Sequence, residues 1–174
     1  MHILLTRPLE ESKELILRFS SLGHKVSHLP VIKVEPLKHD EPDYKQFKGV
    51  IFTSSNAIKN LDLTKVDKKI ECYCVGSATE KVAKLNGFQN IISAEGNVNN
   101  LKELILQNFD SKNGSLLYVS GEVVSSRLDK DLIAEGYSLK RLINYTVSST
   151  LEIKEEFRAE LKKSIPDIIY VYSE

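Results

Sequence analysis

Apolar and polar positions along the chain fall into two alternating rhythms. Short apolar runs, such as HILLT at residues 2–6, are followed by stretches whose apolar residues recur every three or four positions. The first of these, residues 9–22, places Leu15, Ile16, Phe19 and Leu22 on one helical face with acidic residues in its first turn, and Gly23 ends it. Residues 25–36, KVSHLPVIKVEP, read as extended. Pro30 and Pro36 mark that segment as an edge or a linker, because proline cannot donate to a central ladder. Residues 37–48 are polar and read as a loop. From there strands are expected over GVIFTS, ECYCVG, NIISA, SLLYVSG and SLKRLINYTV. Helices are expected over SNAIKNL, SATEKVAKLNG, NVNNLKELILQNF and VSSRLDKDLIAEG. A charged helix over residues 152–164 and a last strand, DIIYVYS at 167–173, complete the pattern.

Strands alternating with amphipathic helices imply an α/β fold with parallel sheets covered on both faces. Residues 48–146 hold five strands and four helices, enough for a doubly wound domain. The flanking segments are expected to form a second domain into which the first is inserted. The boundaries expected are residues 1–35 plus 149–174 for the outer domain and 38–146 for the inserted one.

In a parallel sheet every strand-to-helix turn lies on one edge. Four such turns, TSSNA, VGSATE, AEGNVNN and SGEVVSSR, are rich in Ser, Thr, Asn and Gly and poor in Lys and Arg. Capping of helix N-termini accounts for any one of them. Together they describe an edge of free N–H groups and helix dipoles that suits a ligand with several carboxylates or phosphates. None has the spacing of a Walker loop or a GxGxxG fingerprint, so no nucleotide cofactor is expected.

Charge changes the picture only by exclusion. Lys plus Arg and Asp plus Glu number 24 each, which argues against a binder of nucleic acid. The two cysteines, Cys72 and Cys74, are an i, i+2 pair on one strand face, about 6.5 Å apart along the strand. They fit neither a disulfide nor a zinc site and read as small strand residues in a reducing compartment. The four histidines, His2, His24, His28 and His39, lack metal-type spacing. No export signal or bilayer-long apolar run is present in the sequence, so a cytoplasmic protein without membrane contact is expected.

Taken in order, ILLTRP (3–8), VIFTSSNAI (50–58), CVGSATEKVAKLNGF (74–88), LLYVSGE (116–122), LIAEGYSLKRLINYTV (132–147) and DIIYVYS (167–173) resemble the uroporphyrinogen-III synthase family over essentially the whole chain. The resemblance implies two doubly wound, flavodoxin- or Rossmann-like α/β domains on a pair of extended linkers. It implies a cofactor- and metal-independent lyase, expected as a monomer. The substrate would be hydroxymethylbilane, a linear polycarboxylate tetrapyrrole, cyclised to uroporphyrinogen III with loss of water and inversion of ring D. Tyr145 matches the family's tyrosine on the strand leading out of the inserted domain and is the catalytic candidate; the alternative is a core or linker tyrosine. A phenol with pKa about 10 is a poor acid but an adequate hydrogen-bond donor. Arg7 is expected to bind a carboxylate or to tie the domain edge together. Thr53, Ser54, Asn56, Ser77, Thr79, Ser120 and Gly121 carry over as substrate-binding turn residues, Thr79 foremost, whereas Arg127 reads as a solvated helix residue. The family pattern continues with further strands after YVYS. The first domain is therefore expected to be incomplete and the chain, by itself, poorly active. A non-catalytic α/β module gripping a polycarboxylate is the competing reading. A receiver-like domain lacks its acidic cluster, and a periplasmic-type domain lacks an export signal.

Overall fold

The computed structural model describes residues 1–150 and 152–171. The end of the last expected strand, Tyr172 and Ser173, lies outside the described residues. Among those described are nine strands and six helices in two compact units, Met1–Glu35 with Val147–Glu174, and Pro36–Thr146.

The discontinuous unit is a three-stranded parallel sheet. Strand β1 (His2–Leu5) lies between β2 (Lys25–His28) and β9 (Ile168–Tyr170). All of β1 is buried, as a central strand covered on both faces must be. Helix α1 (Leu9–Ser21) carries the chain from β1 to β2. Glu10 and Glu11 face its positive end, and Gly23, at φ 78°, turns the chain out of it. Helix α6 (Glu155–Lys163) has Glu155 and Glu156 in its first turn, Lys162 and Lys163 in its last, and no buried residue. Ile168 and Ile169 of β9 are exposed.

The extended segment after Gly23 is two strands rather than one. Pro30 interrupts it, so that β2 joins the small sheet while β3 (Ile32–Pro36) joins the larger one. Strand β3 pairs with β8 (Leu139–Ser149). Leu37 N–H donates to the Asn144 carbonyl and Thr150 N–H to the Val31 carbonyl, so the two run antiparallel.

The continuous unit contributes β4 (Phe47–Phe52), β5 (Glu71–Val75), β6 (Asn90–Ala94) and β7 (Ser115–Gly121). The six-stranded sheet has the order β3-β8-β7-β4-β5-β6, with β8, β7, β4, β5 and β6 mutually parallel. The order reverses between β4 and β7. The chain builds outward through β5 and β6, then returns to add β7 and β8 on the other side of β4. Helices α4 (Val98–Asn108) and α5 (Leu128–Ala134) press Leu101, Ile105, Leu128 and Leu132 onto Ile51, Tyr73, Leu116 and Tyr118. Strand alternation sends Val50, Phe52, Cys72, Cys74, Leu117 and Val119 to the opposite face. There α2 (Ser55–Lys59) and α3 (Gly76–Leu85) bury Ala57, Ile58 and Ala83, and Phe52 meets Phe88 edge-on at 5.7 Å. The thiols of Cys72 and Cys74 are buried, free and 3.8 Å apart.

Two helices are shorter than their sequence pattern. Helix α2 stops at Lys59, where the Asn60 side chain donates to the Asn56 carbonyl and closes the turn. Helix α5 begins at Leu128 rather than at Val124, leaving Glu122–Arg127 as a non-helical loop whose serines cap nothing at Arg127. No helix among the described residues is long and apolar enough to cross a membrane.

Candidate functional site at the strand-order reversal

Where strand order reverses in an open parallel sheet, the helices after the two central strands leave on opposite faces and open a crevice beyond the strand ends. Here that point lies between β4 and β7. In register, Phe52 is opposite Val119, so Thr53 and Ser54 emerge beside Ser120 and Gly121. The turn after β5 lies one strand further, since Phe52 is opposite Cys74 on its other side.

The turns differ in how they treat their N–H groups. Ser54 caps α2 by accepting from Asn56 N–H at 3.3 Å, and Asn97 with Asn100 forms a capping box on α4. Helix α3 has no side-chain cap. It follows β5 at once through Gly76, whose φ of 77° only glycine adopts without strain. Its first N–H groups therefore have no capping side chain, and Ser77 is exposed. Thr79 is buried beneath this turn.

Thr53 Oγ1 lies 3.3 Å from the Tyr118 hydroxyl, either atom being able to donate. Burial raises the Tyr118 pKa, only partly offset by the hydrogen bond to Thr53 and the charge of Arg141. This contact ties β7 to the turn that follows β4. Ser120 is buried and its hydroxyl donates to the Gly121 carbonyl at 3.1 Å.

Tyr145 arrives at the same point through a β-bulge. Ser120 is opposite Ile143, but Gly121 is opposite Tyr145, so Asn144 is the extra residue on β8. Its side chain is fully buried. Nδ2 donates to the Ala57 carbonyl of α2 at 2.8 Å, and Oδ1 has no partner among the described residues. The bulge reverses the side chain that follows it. It lays the Tyr145 ring on the α-carbon of Gly121: a Cβ at residue 121 would stand 2.8 Å from two ring carbons and 3.1 Å from the phenolic oxygen. The Tyr145 carbonyl accepts from Glu122 N–H at 2.9 Å, tying the tyrosine to the same turn.

Thr53, Ser54, Asn56, Ser77, Thr79, Ser120, Gly121 and Tyr145 thus share one sheet edge within the Pro36–Thr146 unit. Arg7 belongs to the other unit. Its guanidinium donates to Glu11 one helical turn on, and its carbonyl accepts from Ser12 and His28. Arg127 is exposed and pairs with Asp129 at 3.2 Å. Two residues that sequence reasoning passed over, Asn144 and Arg141, bind this edge from β8. No group of three or more His, Cys, Asp or Glu side chains is arranged to hold a metal among the described residues.

Solved structures share this architecture. The uroporphyrinogen-III synthetase of Helicobacter pylori superposes with a TM-score of 0.61 at 20% identity, covering 97% of this chain and 72% of that one. A mutant uroporphyrinogen III synthase from the extremely thermophilic bacterium Thermus thermophilus gives 0.59 at 14% identity, covering 97% and 71%. At such identities the likeness speaks for the fold. A search of curated protein sequences finds no match. The family described as uroporphyrinogen-III synthase HemD matches residues 13–174, nearly the whole chain. With that match, the protein that builds this crevice belongs to the uroporphyrinogen-III synthase family, cyclising lyases of tetrapyrrole biosynthesis.

Proposed function

We propose that this chain converts hydroxymethylbilane to uroporphyrinogen III, with Tyr145 donating a hydrogen bond to the departing hydroxyl. The observation that carries the reading is the seat of Tyr145. A bulge and a glycine together hold one phenol at the strand-order reversal, beside turns rich in hydroxyl and N–H groups. The hydroxyl of the hydroxymethyl group takes up a proton and leaves as water. The methylene carbon it leaves behind bonds to ring D, which gives up a proton as the macrocycle closes through a spiro intermediate. Because linear tetrapyrrole also closes unaided to the wrong isomer, the enzyme's main contribution is the folded geometry it imposes.

Carboxylate side arms are held by Ser54, Asn56 and Ser77 and by the uncapped N–H groups of α3; in the unit made from the chain ends, Arg7 is the carboxylate-binding candidate. Thr53, Thr79, Ser120 and Gly121 act from beneath by fixing the turns. Helix N-termini contribute about 0.3–1 kcal/mol per anion, so several act at once. The architecture belonging to this reading is two doubly wound domains on the antiparallel pair β3 and β8, with residues 38–146 inserted between 1–35 and 149–174. The protein acts as a monomer in the cytoplasm.

The test is incubation with fresh hydroxymethylbilane and separation of the porphyrin isomers after oxidation. Type III product above the spontaneous background supports the reading. Type I product alone, with tight binding of uroporphyrin, assigns the chain instead as a non-catalytic polycarboxylate binder.

A further inference from the structure

We infer that Arg141 is a positioning residue of the tetrapyrrole site: its guanidinium holds the Ser120–Glu122 turn on which Tyr145 rests. The inference builds on the function proposed above. Arg141 sits on β8 directly opposite Tyr118, with a side chain only 16% exposed. Nε donates to Ser120 Oγ at 2.8 Å. One terminal nitrogen donates to the Gly121 carbonyl at 2.7 Å and the Glu122 carbonyl at 3.1 Å. The other lies 3.9 Å from the Asp129 carboxylate, and the guanidinium carbon stands 5.9 Å from the centre of the Tyr118 ring. The fork is turned inward onto protein acceptors, so the residue works on the turn rather than on a substrate carboxylate.

Two consequences give this arrangement a role in binding. Carbonyl oxygens of Gly121 and Glu122 are drawn onto a cation instead of facing an anionic ligand. In a trans peptide the N–H points opposite to the C=O. With the Glu122 carbonyl held by Arg141, the N–H of Val123 points away from the guanidinium, and Val123 itself is 81% exposed. The loop Glu122–Arg127 has no helical hydrogen bonds to fix it, so Arg141 supplies the order that a helix start would give. A lysine replaces it only in part, because a point charge does not span three acceptors as a planar fork does.

The experiment compares wild type, R141M, R141K and Lys84→Ala in two assays. One is hydroxymethylbilane turnover; the other is binding of uroporphyrin, followed by its fluorescence across a range of salt concentrations. For R141M the expected result is about a tenfold loss of uroporphyrin affinity and a matching rise in KM. Its salt dependence should equal that of wild type, since no charge contact to the ligand is removed. R141K recovers part of the loss, and Lys84→Ala shows none. Wild-type affinity in R141M overturns the inference, as does a shallower salt dependence, which marks Arg141 as a direct anion ligand. If R141M does not unfold cooperatively, R141K decides, and unchanged affinity there overturns it equally. Wild-type protein that binds uroporphyrin without making type III isomer removes the catalytic reading and leaves the binding assay to judge Arg141. Wild-type protein that neither binds nor turns over removes both.

Discussion

Gly121→Ala tests the seat of Tyr145 with one methyl group. Gly121 is not among the glycines with positive φ, so alanine imposes no backbone strain there. The whole effect comes from contact. The new Cβ would lie 2.8 Å from Cε2 and Cζ of Tyr145, where carbon atoms pack at about 3.5 Å, so the ring must withdraw by about 0.7 Å. Tyr145 is 8% exposed and its carbonyl is tied to Glu122, so the ring cannot simply swing into solvent. Overpacking of this kind costs about 1–3 kcal/mol of stability. A donor displaced by nearly an ångström loses up to about a hundredfold in rate. The assay is kcat for type III isomer with thermal unfolding alongside, in wild type, Gly121→Ala, Tyr145→Phe and the double variant. The expected result is a fall in kcat of roughly ten- to a hundredfold in Gly121→Ala with cooperative unfolding retained. The alanine should add little once the phenol is gone, because both changes act through one group. If Gly121→Ala lowers stability yet keeps wild-type kcat, or if the two losses multiply fully, the phenol does not act from this seat.

Further outcomes follow from the same contacts. Ser54→Ala removes the α2 cap and weakens uroporphyrin binding by about 1 kcal/mol, whereas Lys84→Ala, an exposed residue paired with Glu80, leaves it unchanged; isothermal calorimetry at physiological salt distinguishes hydroxyl-led from cation-led binding. Lys68→Met should raise the melting temperature. The ammonium is buried over the Phe88 ring at 4.4 Å without a hydrogen-bond partner among the described residues, and burial lowers its pKa; a lower melting temperature would show that the cation–π contact outweighs desolvation. Burial alone would raise the pKa of Asp129, but hydrogen bonds from Arg127 and Lys130 and the charges of Arg127 and Arg141 hold it below the ordinary range. A depressed carboxylate stabilises the fold above its unfolded value of about 3.9, and that stabilisation is lost as pH falls through the lower folded value. The stability gap between wild type and Asp129→Asn should therefore close on acidification below about pH 4, and a gap constant from pH 7 to 2 would contradict the assignment. Residues 36–146 expressed alone should unfold in one cooperative transition by circular dichroism, and a non-cooperative melt would show that this core is not self-sufficient.

The α/β alternation was legible because both signals are strong where they matter. Fully buried strands such as Val50–Phe52 read as unbroken apolar runs, and α4 shows its core residues Leu101 and Ile105 at helical spacing. The turn chemistry was legible in part: AEGNVNN does supply a capping side chain, Asn97, whereas α3 starts through Gly76 with no side-chain cap although VGSATE offers a serine and a threonine. Hidden from the sequence were features that depend on register. A bulge adds one residue without breaking an apolar pattern, so nothing in LINYTV announces that Asn144 is extra and that Tyr145 is re-aimed. Arg141 reads as an ordinary polar strand position, because its three acceptors belong to a turn some twenty residues earlier, across the β7–β8 pair. The serines of VVSSR read as a helix start by composition, but α5 begins only at Leu128, and the loop's first residue, Glu122, is bonded to Arg141 of β8. Arg7 was expected at a substrate carboxylate or as a tie within its domain edge, and within its own unit it pairs with its neighbour Glu11.

The antiparallel pairing of β3 with β8 bears on how such a chain can be assembled at all. The chain enters the Pro36–Thr146 unit along one strand and leaves it along the strand hydrogen-bonded to the first. To the unit made from the two chain ends, that whole stretch is therefore a hairpin with a very large head. Closing a disordered excursion of that length costs about 4 kcal/mol in chain entropy. A head that folds by itself and presents its two ends a single strand spacing apart has already met that cost. Sequence change inside the head that keeps those two ends a strand spacing apart leaves the closure entropy met by the outer strands unchanged.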